Sequence, residues 1–250
     1  MTRTASAAQP DLPIDTENLT LVYQPMIEAR SGRAIAFEAL LRRHEPDGSI
    51  SGPQAVLSQL TTADALAALD YWVMARACRD ACAWQHIGVS ANISASTLIR
   101  PGFPEDAIRI VAQSGLPGRF FELEVVETGL IEDFDAALAN IERLRAAGIR
   151  IAMDDFGTGY SSLSYLVKLT IDTIKIDKCF IDEIEAIRSV AVIQATIALA
   201  RTMGMKVTAE GVETTEQAET LRVLGCHYLQ GFHFARPMSV ERIATYLAEG

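Results

Sequence analysis

The stretch "AALANIERLRAAGIRIAMDDFGTG", residues 136–159, contains a helical pattern, a strand pattern and the polar end of that strand. The helical pattern ends at Gly148, and glycine is the residue type that most readily takes the left-handed conformation after a helix. The next segment, "RIAMDD" (150–155), has the length and the apolar run of a buried strand. The stretch therefore predicts a helix that leads directly into a strand, which is the repeating unit of α/β folds.

The same alternation extends along the chain on both sides of this unit. A second helical pattern, "SVAVIQATIALARTMG" (189–204), also ends at a glycine. Eight segments have strand patterns: residues 19–25, 34–40, 88–94, 120–127, 150–155, 173–177, 207–211 and 228–234. Eight strands that alternate with helices in 250 residues predict an α/β fold of the modified (β/α)8 TIM-type barrel class.

The first two predicted strands are joined differently from the others. Only "MIEARSGR" (26–33) separates them, whereas a parallel crossover needs about a dozen residues or more. We therefore expect a hairpin here, so that the barrel carries one antiparallel strand. Residues 1–18 are polar and contain prolines, which predicts a flexible N-terminal tail before a barrel domain at 19–250.

Composition narrows the classes of protein to which the chain can belong. The chain is 49% apolar and 22% charged, as in a globular protein with a full core, and its formal net charge is −10. This negative charge argues against binding to a nucleic acid polymer. No apolar run is long enough to predict a membrane span. The four cysteines have no CxxC spacing, and we interpret them as buried thiols of a cytoplasmic protein.

Polar residues recur at the ends of the predicted strands. Because strand side chains alternate between two faces, one polar residue of each strand opposes apolar neighbours that suit packing against the outer helices. Six strands in this way direct polar side chains to the C-terminal rim of the barrel: Glu38, Asn92, Glu124, Asp154, Lys175 and Glu210. Barrel enzymes carry their active sites at this rim.

The acidic residues at the rim need an explanation, since buried like charges oppose one another's ionisation. They must take up protons, spread into solvent or bind cations. Carboxylates and an Asn amide provide the oxygen ligation that Mg²⁺ or Mn²⁺ prefers. Asp155, beside Asp154, suits a site with two metals about 3.5–4 Å apart. Lys175 either compensates the negative charge or contacts a phosphate or the attacking water, and Arg42 is either a phosphate clamp or a surface residue.

Eight ordered sequence blocks resemble a known family. They are "YQP" (23–25), "FEALLR" (37–42), "NISASTL" (92–98), "ELEVVE" (122–127), "DDFGTGYSSL" (154–163), "IKIDKCFI" (174–181), "AEGVET" (209–214) and "LQGFHFARPM" (229–238). Together they resemble the EAL-domain family, whose members are cyclic di-GMP-specific phosphodiesterases of bacterial signalling. The resemblance runs from about residue 19 to residue 248, and it implies a barrel with one antiparallel strand.

The resemblance also implies roles for individual residues. The implied first-metal ligands are Glu38, Asn92, Glu124 and Asp154, and Asp154 would share a second metal with Asp155. The implied catalytic residues are Glu210, Lys175 and Asp155; the substrate-binding residues are Arg42, Gln24, Leu41 and Gln230; and Glu127 would stabilise the "DDFGTG" loop. It further implies two Mg²⁺ or Mn²⁺ ions per site, hydrolysis of cyclic di-GMP to linear pGpG, and a homodimer.

Three positions depart from the family pattern without removing an implied metal ligand. Val126 stands where a threonine is common, Arg43 where an aromatic residue is frequent, and His227 where an acid is usual. These departures bear on rate and regulation more than on activity. Two alternatives remain at this point, which are a cyclic di-GMP receptor with little or no turnover and a metal phosphodiesterase for another phosphodiester.

Overall fold

The computed structural model describes residues 16–126, 133–157 and 163–249. Within these ranges no helix combines the length and the apolar character needed to cross a membrane. The predicted tail therefore falls almost wholly outside the described residues, as do Glu127 and most of the loop that follows Asp155. The tail and its boundary stay a prediction.

Nine strands and ten helices are described. The strands are β1 (Leu19–Glu28), β2 (Ala34–His44), β3 (Ile50–Ser51), β4 (Gly88–Ile93), β5 (Phe121–Val126), β6 (Arg150–Phe156), β7 (Thr173–Ile176), β8 (Lys206–Ala209) and β9 (Tyr228–Leu229). The helices are α1 (Pro53–Leu57), α2 (Ala63–Ala81), α3 (Ala95–Leu98), α4 (Phe103–Ser114), α5 (Phe134–Ala146), α6 (Leu163–Lys168), α7 (Lys178–Asp182), α8 (Ile187–Thr202), α9 (Thr215–Leu224) and α10 (Val240–Glu249).

Eight of the strands close into a barrel. The sheet order is β1-β9-β8-β7-β6-β5-β4-β2, with β1 paired to β2 to complete the ring and β3 added outside β2. β1 is antiparallel to both of its neighbours, while the pairs from β2 through β4 to β9 are parallel. The predicted barrel with one antiparallel strand is therefore confirmed. The two-residue β3 was not predicted.

The predicted elements agree with the structure in type and order, but several strand ends differ. β1 and β2 extend to Glu28 and His44, beyond the predicted ends at 25 and 40, β8 ends at Ala209 instead of 211, and the last strand is shortened most. All eight predicted strands are present, and α5 and α8 are followed by Gly148 and Gly204 in the left-handed conformation, at φ +84° and +74°. The last strand was predicted at 228–234 but ends at Leu229. The reason lies at Gly231, where an added Cβ would be 2.0 Å from the Val212 carbonyl oxygen, because the chain turns against that loop.

The prediction that all four cysteines are buried is wrong for two of them. Cys78 and Cys226 are buried, but Cys82 and Cys179 are exposed. Cys82 follows the last turn of α2, and Cys179 lies in the first turn of the short helix α7, so neither position is covered by a packed helix face.

The faces of β5 show how the sheet separates apolar from polar side chains. Phe121, Leu123 and Val125 are fully buried in the apolar core. Glu122, on the other face, accepts a hydrogen bond of 2.9 Å from Thr173 Oγ1. Since Thr173 lies on β7 and β6 stands between the two strands, this bond must cross the barrel interior. The polar face of β5 therefore points into the barrel.

Candidate active site

Lys175 lies at the centre of a group of four carboxylates. Its side chain, on β7, is only 1% exposed. The ammonium nitrogen contacts Glu124 Oε2 and lies 2.5 Å from Glu210 Oε1, 3.3 Å from Asp154 Oδ1 and 3.8 Å from Glu38 Oε2. One positive charge thus faces four acidic groups. The structure brings these five predicted residues together, and we call them the acidic ring.

The sixth predicted rim residue and two glutamines surround Glu38. Asn92 Nδ2 donates to Glu38 Oε1 at 2.9 Å, and Gln230 Nε2 donates to Glu38 Oε2 at 2.6 Å. Gln230 also approaches Gln24 Oε1 at 3.5 Å, and Gln24 Nε2 donates to the Ala235 carbonyl at 3.2 Å. These contacts connect β1, β2, β4 and the end of β9. Glu38 is consequently held by two neutral amides, one on each carboxylate oxygen.

Burial and mutual repulsion change the pKa values of the acidic ring unequally. Burial raises the pKa of Glu124 well above its ordinary value, and the neighbouring charge of Glu38 raises it further. Burial alone would also raise the pKa of Glu38, but Lys175 and the hydrogen bonds from Gln230 and Asn92 hold it below its ordinary value. Burial opposes the charge of Lys175, yet the carboxylates around it raise its pKa well above the usual range. These shifts favour the ammonium form of Lys175 and disfavour the ionised form of Glu124.

Glu210 and Asp155 are weaker acids than isolated carboxyl groups. Burial raises the pKa of Glu210 to about 8, against the opposing effect of Lys175. Burial raises the pKa of Asp155 as well, and the charges of Asp154 and Asp177 add to this. An added cation would reverse these shifts by stabilising the ionised carboxylates.

Several oxygens of the acidic ring lack a hydrogen bond. Among the described residues, Glu124 Oε1, Asp154 Oδ1 and Glu210 Oε1 have no hydrogen-bond partner although they are buried, and the last two lie within ion-pair distance of Lys175. Unpartnered buried oxygens are uncommon, because each loses its hydration. The donors are oxygens only and their negative charge exceeds that of Lys175, so their chemistry fits hard divalent cations.

The arrangement around Lys175 differs from a preformed metal cage. Among the residues that the structure describes, no three Asp, Glu, His or Cys side chains have the spacing to hold one metal ion. The ammonium of Lys175 is the cation at the centre of the carboxylates.

A distortion in β6 positions the Asp154–Asp155 doublet. The pairing of β6 with β7 shifts register between Met153 and Phe156, and Asp155 has a φ of +55°. Such a bulge redirects the side chains of a strand, and a positive φ at a non-glycine residue is a strained conformation found often at functional sites. A regular strand would place adjacent carboxylates on opposite faces. Here Asp154 is buried in the ring, and Asp155 is half-buried with Asp154 and Asp177 among its charged neighbours.

The predicted substrate-binding residues are not all in one place. Gln24 and Gln230 are buried beside Glu38. Arg42 is half-buried, and its Nη1 donates to the Leu41 carbonyl at 2.8 Å. Leu41 packs in the apolar core, at a strand position of the opposite parity to Glu38. Its side chain is therefore separated from the acidic ring, and the predicted contact of Glu127 lies outside the described residues.

One acid near this site was not among the predicted residues. Asp177 follows β7, and its side chain accepts the Cys179 amide hydrogen at the start of α7 at 2.9 Å. It acts on the pKa of Asp155, so the two carboxylates are close. Asp177 has the same strand parity as Lys175, and this parity was the available signal.

A family model described as the EAL domain matches residues 6–237, which is most of the chain. The chain belongs to the EAL domain family. The match includes every residue of the acidic ring, together with Asn92, Asp155 and the two glutamines.

Individual relatives agree with this membership. The chain is 37% identical over 237 residues to the cyclic di-GMP phosphodiesterase NbdA of Pseudomonas aeruginosa, covering 92% of this chain and 30% of that protein. The curated relatives that it matches are longer proteins, and the chain spans about a third of their length.

Solved EAL structures have the same fold. The phosphodiesterase MucR of the same organism, solved as a c-di-GMP complex, is 37% identical with a TM-score of 0.85, covering 91% of this chain and 94% of that one. BlrP1 of Klebsiella pneumoniae is 29% identical with a TM-score of 0.80, and its manganese and c-di-GMP complex covers 90% of this chain and 57% of that one. A calcium and c-di-GMP complex of BlrP1 matches with the same identity and TM-score.

Proposed function

We propose that this EAL domain hydrolyses cyclic di-GMP to linear pGpG with the aid of two divalent cations, Mg²⁺ or Mn²⁺. The observation that carries the proposal is the acidic ring, in which four carboxylates and unpartnered buried oxygens face a single ammonium. The similarity to NbdA and to the c-di-GMP complex of MucR supports the substrate. The BlrP1 complexes with manganese and calcium support a divalent cation.

The cations would be held by the oxygen donors of the rim. Glu38, Asn92, Glu124 and Asp154 would hold the first, and Asp154 together with Asp155 would hold the second. When bound, such a pair would polarise the scissile phosphate, lower the pKa of a water and offset the charge of the leaving oxygen.

Glu210 and Lys175 would act on the attacking water. Glu210, once ionised, would accept a proton from the water while the water oxygen bonds to phosphorus. One P–O ester bond then breaks, which opens the ring of the cyclic dinucleotide. Lys175 Nζ is 2.5 Å from Glu210 Oε1. Because its pKa is raised, Lys175 keeps its proton and would not serve as the base. It would therefore donate a hydrogen bond either to the water or to a phosphate oxygen, and so keep the water in line with the phosphorus that it attacks.

Other residues would position the dinucleotide. Arg42 would bind a phosphate of the substrate, for which it must leave its contact with the Leu41 carbonyl. Gln24 and Gln230 would line the site beside Glu38. The predicted roles of Leu41 in substrate binding and of Glu127 in the loop stay predictions.

The proposal is tested with purified protein and cyclic di-GMP, in the presence of Mn²⁺ or Mg²⁺ and, in parallel, of EDTA. We expect pGpG only with the metal, and in water labelled with ¹⁸O we expect one label in the new terminal phosphate. Binding of cyclic di-GMP with no pGpG would contradict the proposal and favour the receptor alternative. A panel of cyclic dinucleotides and cyclic mononucleotides would reveal the other alternative, a phosphodiesterase with a different substrate.

The homodimer and the cytoplasmic location complete the proposal. Analytical ultracentrifugation over a range of protein concentrations tests the first, because a dimer gives twice the monomer mass. Both stay predictions.

A further inference from the structure

A second charged site lies at the end of the barrel opposite the acidic ring. A cavity of about 710 Å³ opens where β8 and β9 begin and where the antiparallel strand β1 ends. Its lining residues are Glu28, Ala29, Arg30, Arg201, Lys206, Arg222, Gly225, Cys226, His227 and Tyr228. We call this cavity the basic cleft.

The basic cleft has a large excess of positive charge. Four of its lining residues are cations and one is an acid, within a chain whose formal net charge is −10. Within the described ranges, none of Arg30, Arg201, Lys206 and Arg222 forms an ion pair. The one acid, Glu28, instead accepts a hydrogen bond of 2.6 Å from Ser31. The positive charges therefore lack acidic partners in this part of the protein.

Helix ends explain only part of this cluster. Arg201 and Arg222 lie in the last turns of α8 and α9, where cations interact favourably with the helix dipole, and Arg222 Nε donates to the Ala29 carbonyl at 3.0 Å. Arg30 lies in the turn after β1 and Lys206 begins β8, so neither is a helix cap. Two further positive charges thus converge on the cleft without a structural partner.

His227 adds a neutral donor to the cleft. Its Nδ1 accepts a hydrogen bond of 3.1 Å from the Val207 amide, so the neutral ring carries its hydrogen on Nε2. Burial lowers its pKa, and the charges of Lys206, Arg201 and Arg30 lower it further. The histidine therefore experiences the positive field of the same cations that line the cleft.

We propose that the basic cleft binds a small, multiply charged phosphate anion, either inorganic pyrophosphate or the diphosphate group of a nucleotide. Guanidinium groups bind two phosphate oxygens at once, and a lysine adds a point charge. The volume of the cleft lies in the range of small-molecule sites. This site is independent of the hydrolysis proposed for the acidic ring, since it uses none of the same residues.

The test is isothermal titration of the protein with pyrophosphate at low ionic strength in EDTA. EDTA removes divalent cations, and the metal-free acidic ring repels anions, so that binding at the acidic ring does not contribute to the signal. We expect a dissociation constant below about 1 mM for the wild-type protein. Arg201→Gln combined with Lys206→Gln should weaken binding by about tenfold or more, because two charge-assisted contacts are lost.

Arg188→Gln is the matched control. Arg188 is exposed and lies in the first turn of α8, the helix that carries Arg201 in its last turn. Its replacement should leave the affinity within about twofold. Absence of binding by the wild-type protein, or an equal loss in Arg188→Gln, would overturn the proposal. The substituted side chains of Arg188, Arg201 and Lys206 are all exposed, so both variants should fold like the wild type. Circular dichroism verifies this.

A parallel titration with guanosine diphosphate distinguishes the source of the anion. Affinity equal to or below that of pyrophosphate supports recognition of the phosphate groups alone, and higher affinity supports a nucleotide. In either case the His227 ring signals should shift on binding in NMR spectra, with a higher pKa, because the anion offsets the neighbouring cations. A site elsewhere on the surface would leave these signals unchanged and would overturn the assignment to the basic cleft.

Discussion

Two consecutive layers inside the barrel each contain a buried glutamate of β5, but the two glutamates differ in their charged partners. Glu122 and Glu124 are both buried on the inner face of β5, and each contacts a residue of β7. Glu122 accepts a hydrogen bond from Thr173 Oγ1 and lies 3.7 Å from Arg150 Nε, so one acid meets one cation. Two residues further along, Glu124 shares the single ammonium of Lys175 with three other acids.

The difference separates a structural layer from a reactive one. A buried carboxylate contributes to stability only where its charge and its hydrogen bonds are matched. The layer of Glu122 is nearly matched, and Asp172 outside it receives two hydrogen bonds from Arg145 and one from the Ile151 amide. In the layer of Glu124, four carboxyl groups face one ammonium, so its charge is unmatched. We infer that the acidic ring costs stability in the metal-free protein and gains it back on binding.

Replacing the central ammonium is expected to give the largest change. Lys175→Met leaves four acids without a buried cation, which should lower the free energy of unfolding in EDTA by about 3–5 kcal/mol. Lys178→Met is the control, because the Lys178 side chain is 44% exposed and pairs with Asp182 and Glu213 at the surface, so a loss below about 1 kcal/mol is expected. Urea denaturation measures both. Equal losses in the two variants would contradict the claim that Lys175 offsets the buried negative charge of the acidic ring.

Replacing one acid in each layer should affect catalysis only in the layer of Glu124. Glu124→Gln removes a proposed metal ligand, and we expect pGpG formation to fall by about a hundred- to a thousandfold. Glu122→Gln keeps an acceptor for Thr173 and should stay within about threefold of the wild-type rate. Initial rates at saturating Mn²⁺ decide this point, and a large loss in Glu122→Gln would remove the distinction between the layers.

Bound metal should stabilise the folded protein through the layer of Glu124 and not through that of Glu122. At a Mn²⁺ concentration of 100 times its dissociation constant, we expect the free energy of unfolding to rise by about 2.7 kcal/mol. Asp154→Asn should lose most of this gain, whereas Asp172→Asn should be less stable but should keep it, since Asp172 pairs with Arg145. Thermal denaturation with and without Mn²⁺ measures both variants. An unchanged gain in Asp154→Asn would place the metal elsewhere.

Per pH unit, the pH dependence of the metal-free protein should give the smallest change in stability. Burial raises the pKa of Glu210 to about 8 in the folded protein, from an ordinary value of 4.5. Between these values the folded protein holds a proton that the unfolded chain has released, so stability falls as pH rises, by at most about 1.4 kcal/mol per pH unit for this group. Glu210→Gln should flatten the slope in EDTA between pH 5 and pH 8. An identical slope in the variant would contradict the shifted pKa of Glu210.

Strand parity and strand order were enough to predict the acidic ring. Parallel strands end at one rim, so its members could be brought together from the sequence without knowledge of any contact: Glu38, Glu124, Asp154, Lys175 and Glu210. The eight-residue connection was likewise enough to predict the hairpin of β1 and β2.

Features that depend on tertiary contacts escaped the sequence patterns. The bulge at Asp155 arises from the register between β6 and β7, which periodicity does not encode. The last strand ends early because Gly231 turns against Val212, and the apolar environment of Leu41 depends on which face of β2 meets the helices. The basic cleft combines residues from five elements and loops, so no single stretch of the sequence indicated it.

A crystal structure of the protein with Mn²⁺ and cyclic di-GMP, with anomalous data at the manganese edge, tests the role of the acidic ring most directly. We predict two anomalous peaks about 3.5–4 Å apart, with oxygens of Glu38, Asn92, Glu124, Asp154 and Asp155 at about 2.1 Å and Lys175 displaced from some of its carboxylates. The absence of any manganese peak among these residues, with Lys175 still holding all four acids, would contradict the proposed metal site.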